Sequence, residues 1–218
     1  MKFTRDELRA SMLLYAVTDR AWLEGRALPD VVEEVLANGA TFLQVREKGM
    51  DHDAFLAEAS ILKEQAARYH VPFVVNDSVE VALACGADGV HVGQSDIQGR
   101  DIRALIGPDK ILGISANTVD TALAAQTAGA DYIGVGAVFG TTTKRDARNL
   151  SVAQLKEICN AVDIPVVAIG GISADNILEL RGSGVDGVAV VSAIFAQPDP
   201  GAAARRLRAL AEELTAHE

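Results

Sequence analysis

Cysteine is scarce in this chain, and the two that occur among its 218 residues, Cys85 and Cys159, stand in no CxxC or Cys/His spacing. That excludes a disulfide framework and a thiolate metal site, and both read as small buried hydrophobes in a reducing compartment. Long apolar runs are missing too. No stretch approaches the roughly 18 residues that a membrane span requires. The opening segment, Met1-Lys2-Phe3-Thr4-Arg5-Asp6-Glu7, lacks the apolar core of a secretory signal. A cytoplasmic protein with no membrane partner is expected. Positive charge is in deficit: 20 Lys and Arg against 30 Asp and Glu leave a formal net charge of −10. Nucleic acid demands a clustered basic face and finds none here. To bind anionic ligands, the chain must gather its few cations in one place.

What is present is regular alternation. Apolar, β-rich runs occur at Leu13–Val17, Thr41–Val45, Pro72–Val75, Gly89–Val92, Lys110–Ile114, Tyr132–Val135, Pro165–Ile169 and Gly187–Val191. Between them lie stretches of helical spacing, such as Asp51–Tyr69 and Val119–Ala128. Near-continuous apolar strands separated by helices predict a parallel sheet covered on both faces. Eight units predict an α/β chain folded as a single (β/α)₈ barrel over residues 1–218. Thr4 and Glu7 are spaced as a capping box for an extra opening helix at Arg5–Ala10. A weak repeat agrees: Asn38-Gly39-Ala40-Thr41, Gly86-Ala87-Asp88-Gly89, Gly129-Ala130-Asp131-Tyr132 and Gly184-Val185-Asp186-Gly187 each precede an even-numbered strand. Glycine there reads as a helix terminator.

In such barrels chemistry belongs to the loops after the strands. After the second strand, Gln44, Arg46 and Lys48 alternate with Leu43 and Val45, which places the three polar groups on one face. Two cations leading into an apolar barrel require anions to meet them; the bland alternative is a salt bridge with Glu47 or another carboxylate. The third and fourth strands exit as Asn76-Asp77 and His91-Val92-Gly93-Gln94-Ser95-Asp96. Asp77 and Asp96 can share a hard cation such as Mg²⁺, or each can cap a helix or turn. His91 reads as a hydrogen-bonded core residue. Ser115 follows the fifth strand. Thr141, Thr142, Thr143 and Lys144 follow the sixth in a loop suited to closing over phosphate oxygens. Ala168-Ile169-Gly170-Gly171-Ile172 follows the seventh, with Ser173 placed to cap a helix. Val191 and Ser192 end the eighth and open a short helix. Loops 7 and 8 are the recurring phosphate site of this fold. Two anion sites result, one suited to a diphosphate and one to a monophosphate, as in group transfer with loss of pyrophosphate.

Taken together, Gln44-Val45-Arg46-Glu47-Lys48, Val75-Asn76-Asp77, the run from Gly89 to Asp96, Gly113-Ile114-Ser115, Thr141-Thr142-Thr143-Lys144, Ala168-Ile169-Gly170-Gly171-Ile172 and Val188-Ala189-Val190-Val191-Ser192 resemble the thiamine-phosphate synthase family. The resemblance runs in order from about Leu14 to Phe195. It implies that the chain joins 4-amino-2-methyl-5-hydroxymethylpyrimidine diphosphate to a thiazole phosphate, or its carboxylated tautomer, releasing pyrophosphate. It further implies that Gln44, Arg46, Lys48, Asn76, Ser115 and Lys144 contact the pyrimidine diphosphate, with Arg46, Lys48, Lys144 and Ser115 acting in catalysis. Asp77 and Asp96 would hold Mg²⁺, and Thr141, Thr143, Gly171, Val191 and Ser192 the thiazole phosphate. Gly140 departs from the family, which usually has proline there. Two alternatives are a thiazole tautomerase-like barrel, needing an acid–base residue such as His91, and a non-catalytic sensor of thiamine precursors. Small phosphorylated metabolites are the expected partners in each case, and no feature specifies an oligomeric state.

Overall fold

The computed structural model describes residues 3–94, 100–140 and 150–216. Eight parallel strands close into a barrel in chain order: β1 (Leu14–Val17), β2 (Phe42–Val45), β3 (Phe73–Asn76), β4 (Gly89–Val92), β5 (Ile111–Ala116), β6 (Tyr132–Gly136), β7 (Val166–Ile169) and β8 (Gly187–Val190). Helices connect them: α2 (Leu28–Ala37), α3 (His52–Arg68), α4 (Val79–Ala84), α5 (Ile102–Ile106), α6 (Val119–Thr127), α7 (Val152–Ala161), α8 (Ser192–Phe195) and α9 (Pro200–Thr215). The opening helix α1 (Arg5–Ser11) is present, and Thr4 and Glu7 form its capping box. The barrel is as expected. The short helix after β8 is also there, but the helix expected after β7 is a 3₁₀ turn (Ile177–Leu180) preceded by Asn176.

Two apolar layers follow from side-chain alternation. Leu43 and Val45 of β2 belong to the layer between barrel and helices, whereas Phe42 points inward with Tyr15, Val17, Val74, Ile111, Tyr132, Val167 and Ala189. Leu8 and Met12 join this interior cluster. The opening helix therefore adds two fully buried side chains to the barrel core, each contributing about 1.5–3 kcal/mol by burial.

The fourfold repeat has a second role that sequence spacing did not reveal. Its last polar residue clamps the preceding odd-numbered strand. The N–H groups of Leu14, Phe73, Leu112 and Val166 donate to Thr41 Oγ1 (2.8 Å), Asp88 Oδ2 (3.0 Å), Asp131 Oδ2 (2.8 Å) and Asp186 Oδ2 (2.8 Å). Each clamping residue returns its own N–H to the carbonyl of that same partner at 2.8–2.9 Å. Arg103 and Arg9 lie 2.6 and 2.5 Å from Asp131 and Asp186. This face is tied down by hydrogen bonds, which leaves the opposite rim for chemistry.

Candidate active site

A cavity of about 450 Å³ opens at the carboxyl-terminal rim. It gathers Gln44, Arg46, Asn76, Ser115, Gly171, Val191 and Ser192, all expected from sequence. Around them stand Tyr15, His91, Gln94, Asn117 and Gly134, for which sequence spacing assigned no ligand role. Asp96, Thr141, Thr142, Thr143 and Lys144 lie outside the described residues.

Arg46 is held from below. Thr18, fully buried at the exit of β1, donates its N–H to the Gln44 carbonyl (3.0 Å) and accepts the Arg46 N–H on its hydroxyl (3.0 Å). Among the described residues the Arg46 guanidinium comes no nearer to a carboxylate than 3.9 Å, at Asp19 Oδ2. That distance is too long for a hydrogen bond. Among the described residues its donors are therefore available to an incoming anion.

Lys48 is placed differently from expectation. It is exposed and borders a smaller cavity beside the first, lined also by Asp19, Arg20, Ala21, Arg46 and Glu47. Strand β2 ends at Val45, so the alternation that puts Gln44 and Arg46 on one face does not extend to residue 48. Arg46 borders both cavities and connects them. The salt bridge considered for the strand 2 cations exists, but its cation is Arg20. Its Nε lies 2.9 Å from Glu47 Oε1, and its guanidinium also pairs with Glu58.

Glu47 has a side chain only 5% exposed. Burial pushes its carboxyl up to about 7; Arg20 opposes that shift, and the neighbouring Glu58 carboxylate adds to it. An acid raised above its ordinary 4.5 contributes stability that is complete below that value and is lost as pH rises through about 7. Glu47→Gln should therefore flatten the decline in melting temperature across this window. Melting curves with the parent's pH slope would show that Glu47 does not titrate there.

Asp77 follows β3 with φ +62°, and Asn76 Nδ2 donates to its Oδ2 at 2.6 Å. The helix-capping role that sequence left open for Asp77 belongs to Ser78, whose hydroxyl accepts the Val81 N–H. Ser115 lies within β5, not after it, opposite Gly134 of β6. His91 fills the space between them. It lies 2.9 Å from Tyr132 Oη through Nδ1 and 3.0 Å from Ser115 Oγ through Nε2. A Cβ on Gly113 would stand 2.5 Å from that ring, so only glycine leaves room for it.

The wall after β7 and β8 is mostly backbone. Gly171 has φ +67°, and a Cβ there would meet the Gly140 carbonyl at 2.2 Å and the Phe139 carbonyl at 2.8 Å. Ser173 caps this turn as expected, its hydroxyl accepting the Asp175 N–H, and Asn176 adds to it: its Oδ1 accepts the Ser173 N–H and its Nδ2 donates to the Gly171 carbonyl. Phe139 N–H donates to the Gly170 carbonyl, so the start of the loop after β6 rests on the loop after β7. Gly140 has φ +74°, which a proline ring forbids. At this point the chain follows a path that the more usual proline could not take.

The comparisons with known proteins agree with this geometry. Residues 14–194 match the family described as thiamine monophosphate synthase. A thiamine-phosphate synthase of Clostridium tetani is 48% identical over 186 residues, covering 85% of this chain and 89% of that one. One from Ruminiclostridium cellulolyticum is 48% identical over 194 residues, covering 89% and 92%. Among solved structures, thiamine phosphate pyrophosphorylase from Pyrococcus furiosus superposes with a TM-score of 0.88 at 39% identity, covering 95% of this chain and 99% of that one. A family match over residues 14–194, together with relatives 48% identical over most of both chains, leaves one conclusion: the chain belongs to the thiamine-phosphate synthase family.

Proposed function

We propose that the rim cavity holds a pyrimidine diphosphate and a thiazole phosphate together, and that the chain, a transferase of thiamine biosynthesis, joins them into thiamine phosphate. The observation that carries this reading is the division of one cavity into two kinds of wall. The Arg46 guanidinium, with donors unused among the described residues, stands just after β2, and close-packed glycine backbone lies after β7. The first suits a multiply charged leaving group, and the second lets amide groups approach a monophosphate.

The reaction breaks the bond between the pyrimidine methylene carbon and its diphosphate oxygen, and the electron pair leaves with pyrophosphate. The aminopyrimidine ring supports the positive charge left on the methylene, and the thiazole nitrogen lone pair forms the new C–N bond. No proton needs to be removed at the reacting atoms. That matches a site whose one histidine has both ring nitrogens within hydrogen-bond distance of hydroxyl groups, and it argues against a tautomerase. The protein's task is to stabilise charge that appears on the diphosphate. Arg46 meets it directly, Lys48 from the adjoining cavity, and Lys144 from the loop after β6. Gln44 and Asn76 orient the substrate, and Ser115 offers a hydroxyl. Thr141, Thr142 and Thr143 join Gly171, Val191 and Ser192 around the thiazole phosphate.

The donor chemistry fits Mg²⁺. Asp77 brings a hard carboxylate beside Asn76, and Mg²⁺ needs only one or two carboxylates while keeping waters and taking phosphate oxygens. Asp77 and Asp96 would hold it, and when bound it offsets the charge of the departing pyrophosphate. No helix among the described residues is long and apolar enough to cross a membrane; that and the acidic composition accord with work in the cytoplasm.

The test is a turnover assay with both substrates. Equimolar thiamine phosphate and pyrophosphate should appear with Mg²⁺, stop in EDTA and return when Mg²⁺ is restored. Asp77→Ala should lose most activity. Binding of both precursors without product would favour the sensor reading, and full turnover in excess chelator would remove the metal.

A further inference from the structure

A line of hydrogen-bonded side chains crosses the floor of the cavity and passes through five strands. Gln44 Nε2 (β2) lies 2.5 Å from Tyr15 Oη (β1), which lies 2.7 Å from Tyr132 Oη (β6). Tyr132 Oη lies 2.9 Å from His91 Nδ1 (β4), and His91 Nε2 lies 3.0 Å from Ser115 Oγ (β5). Both tyrosines are fully buried, and desolvation pushes both phenols far above their ordinary range. Each therefore keeps one proton, with one to give and lone pairs to receive.

Only one direction gives every buried proton of the line an acceptor within it. The Gln44 amide nitrogen donates to Tyr15, and Tyr15 gives its own proton to Tyr132. Tyr132 then gives its proton to His91 Nδ1, which must be unprotonated. The imidazole proton sits on Nε2 and is donated to Ser115 Oγ. Ser115 then accepts from His91 and keeps its own proton to donate, in the cavity that Ser115 borders.

We propose that His91 is a positioning residue: held as the Nε2–H tautomer by Tyr132, it donates to Ser115 and so presents the Ser115 hydroxyl as a hydrogen-bond donor to the bound diphosphate. The proposal rests on the reading of the cavity given above and extends it. A donor aimed in advance at oxygen that gains charge costs no reorganisation as the bond breaks. A hydroxyl free to rotate would have to be ordered first. Tyr132 is fully buried and does not border the cavity, so it acts on a bound ligand through the side chains it contacts.

The experiment has two readouts. Nitrogen-15 NMR of the histidine ring in the unliganded parent protein should show His91 protonated on Nε2 and bare on Nδ1, a result that needs no substrate and no variant. A ring protonated on Nδ1 alone, or on both nitrogens, overturns the proposal. Second, single-turnover rates are compared for Tyr132→Phe, Ser115→Ala and the double variant. Tyr132→Phe should slow bond breaking about tenfold with KM for the diphosphate little changed, and in the Ser115→Ala background it should have no further effect. Multiplicative losses in the double variant would mean that Tyr132 does not act through Ser115, overturning the proposal. A parent protein that shows the expected tautomer but forms no product would count against the assigned reaction and leave the hydrogen-bond direction standing.

Discussion

Arg46→Ala should lower turnover by about 100-fold while leaving the melting temperature within about a degree of the parent. Loss of one donor that meets developing negative charge costs on this order in other enzymes, about 2.7–4 kcal/mol of barrier. The same side chain contributes little to folding. Its one carboxylate neighbour among the described residues, Asp19, stands 3.9 Å away, and such loose pairs are worth about 0–1 kcal/mol. Asp19 keeps its other role after the substitution, because its Oδ1 accepts the Ala21 N–H independently of Arg46. Kinetics and thermal melts of one purified variant suffice. A large fall in melting temperature with turnover retained would make Arg46 a structural ion-pair partner instead.

Gly171→Ala, one methyl group, should cost activity by a different route. The residue sits at φ +67°, where a Cβ is strained in any surroundings, and the added carbon would lie 2.2 Å from the Gly140 carbonyl oxygen. Neither atom belongs to a flexible side chain. The start of the loop after β6 must therefore move off the loop after β7, breaking the register held by Phe139 and Gly170. Overpacking of this kind costs about 1–3 kcal/mol, a fall of several degrees for a chain this size. The same shift carries the backbone away from the thiazole phosphate, so turnover at limiting thiazole phosphate should drop by at least about 100-fold. Unchanged kinetics would place the phosphate elsewhere.

The strands and the rim were legible in the sequence for one reason: both are written in short-range patterns. Buried parallel strands require continuous apolar runs, and a cation at the end of such a run stands out. Lys48 was misplaced because period-two alternation holds only while the chain is pleated, and β2 stops at Val45. Ser115 was set one step too late for the complementary reason, since β5 continues to Ala116. Ser173 caps its turn as its residue type suggests, while the part played by both ends of the Asn176 amide had no signal in the spacing. What stayed hidden depends on barrel closure. Tyr15 and Tyr132 are 117 residues apart and meet only because the sheet curls round. One signal was available: two of the chain's three tyrosines lie in otherwise apolar strands, where a buried hydroxyl needs a partner.

The central claim is that one cavity holds two phosphorylated ligands at separate walls, and calorimetric titration of Arg46→Ala and Gly171→Ala with each ligand tests it most directly. The titrations use Mg²⁺, thiazole phosphate and a slow-reacting pyrimidine diphosphate analogue. Arg46→Ala should weaken the diphosphate strongly and thiazole phosphate by less than about tenfold, or 1.4 kcal/mol. Gly171→Ala should show the reverse. If both variants weaken both ligands equally, the two walls serve a single phosphate pocket and the account is wrong.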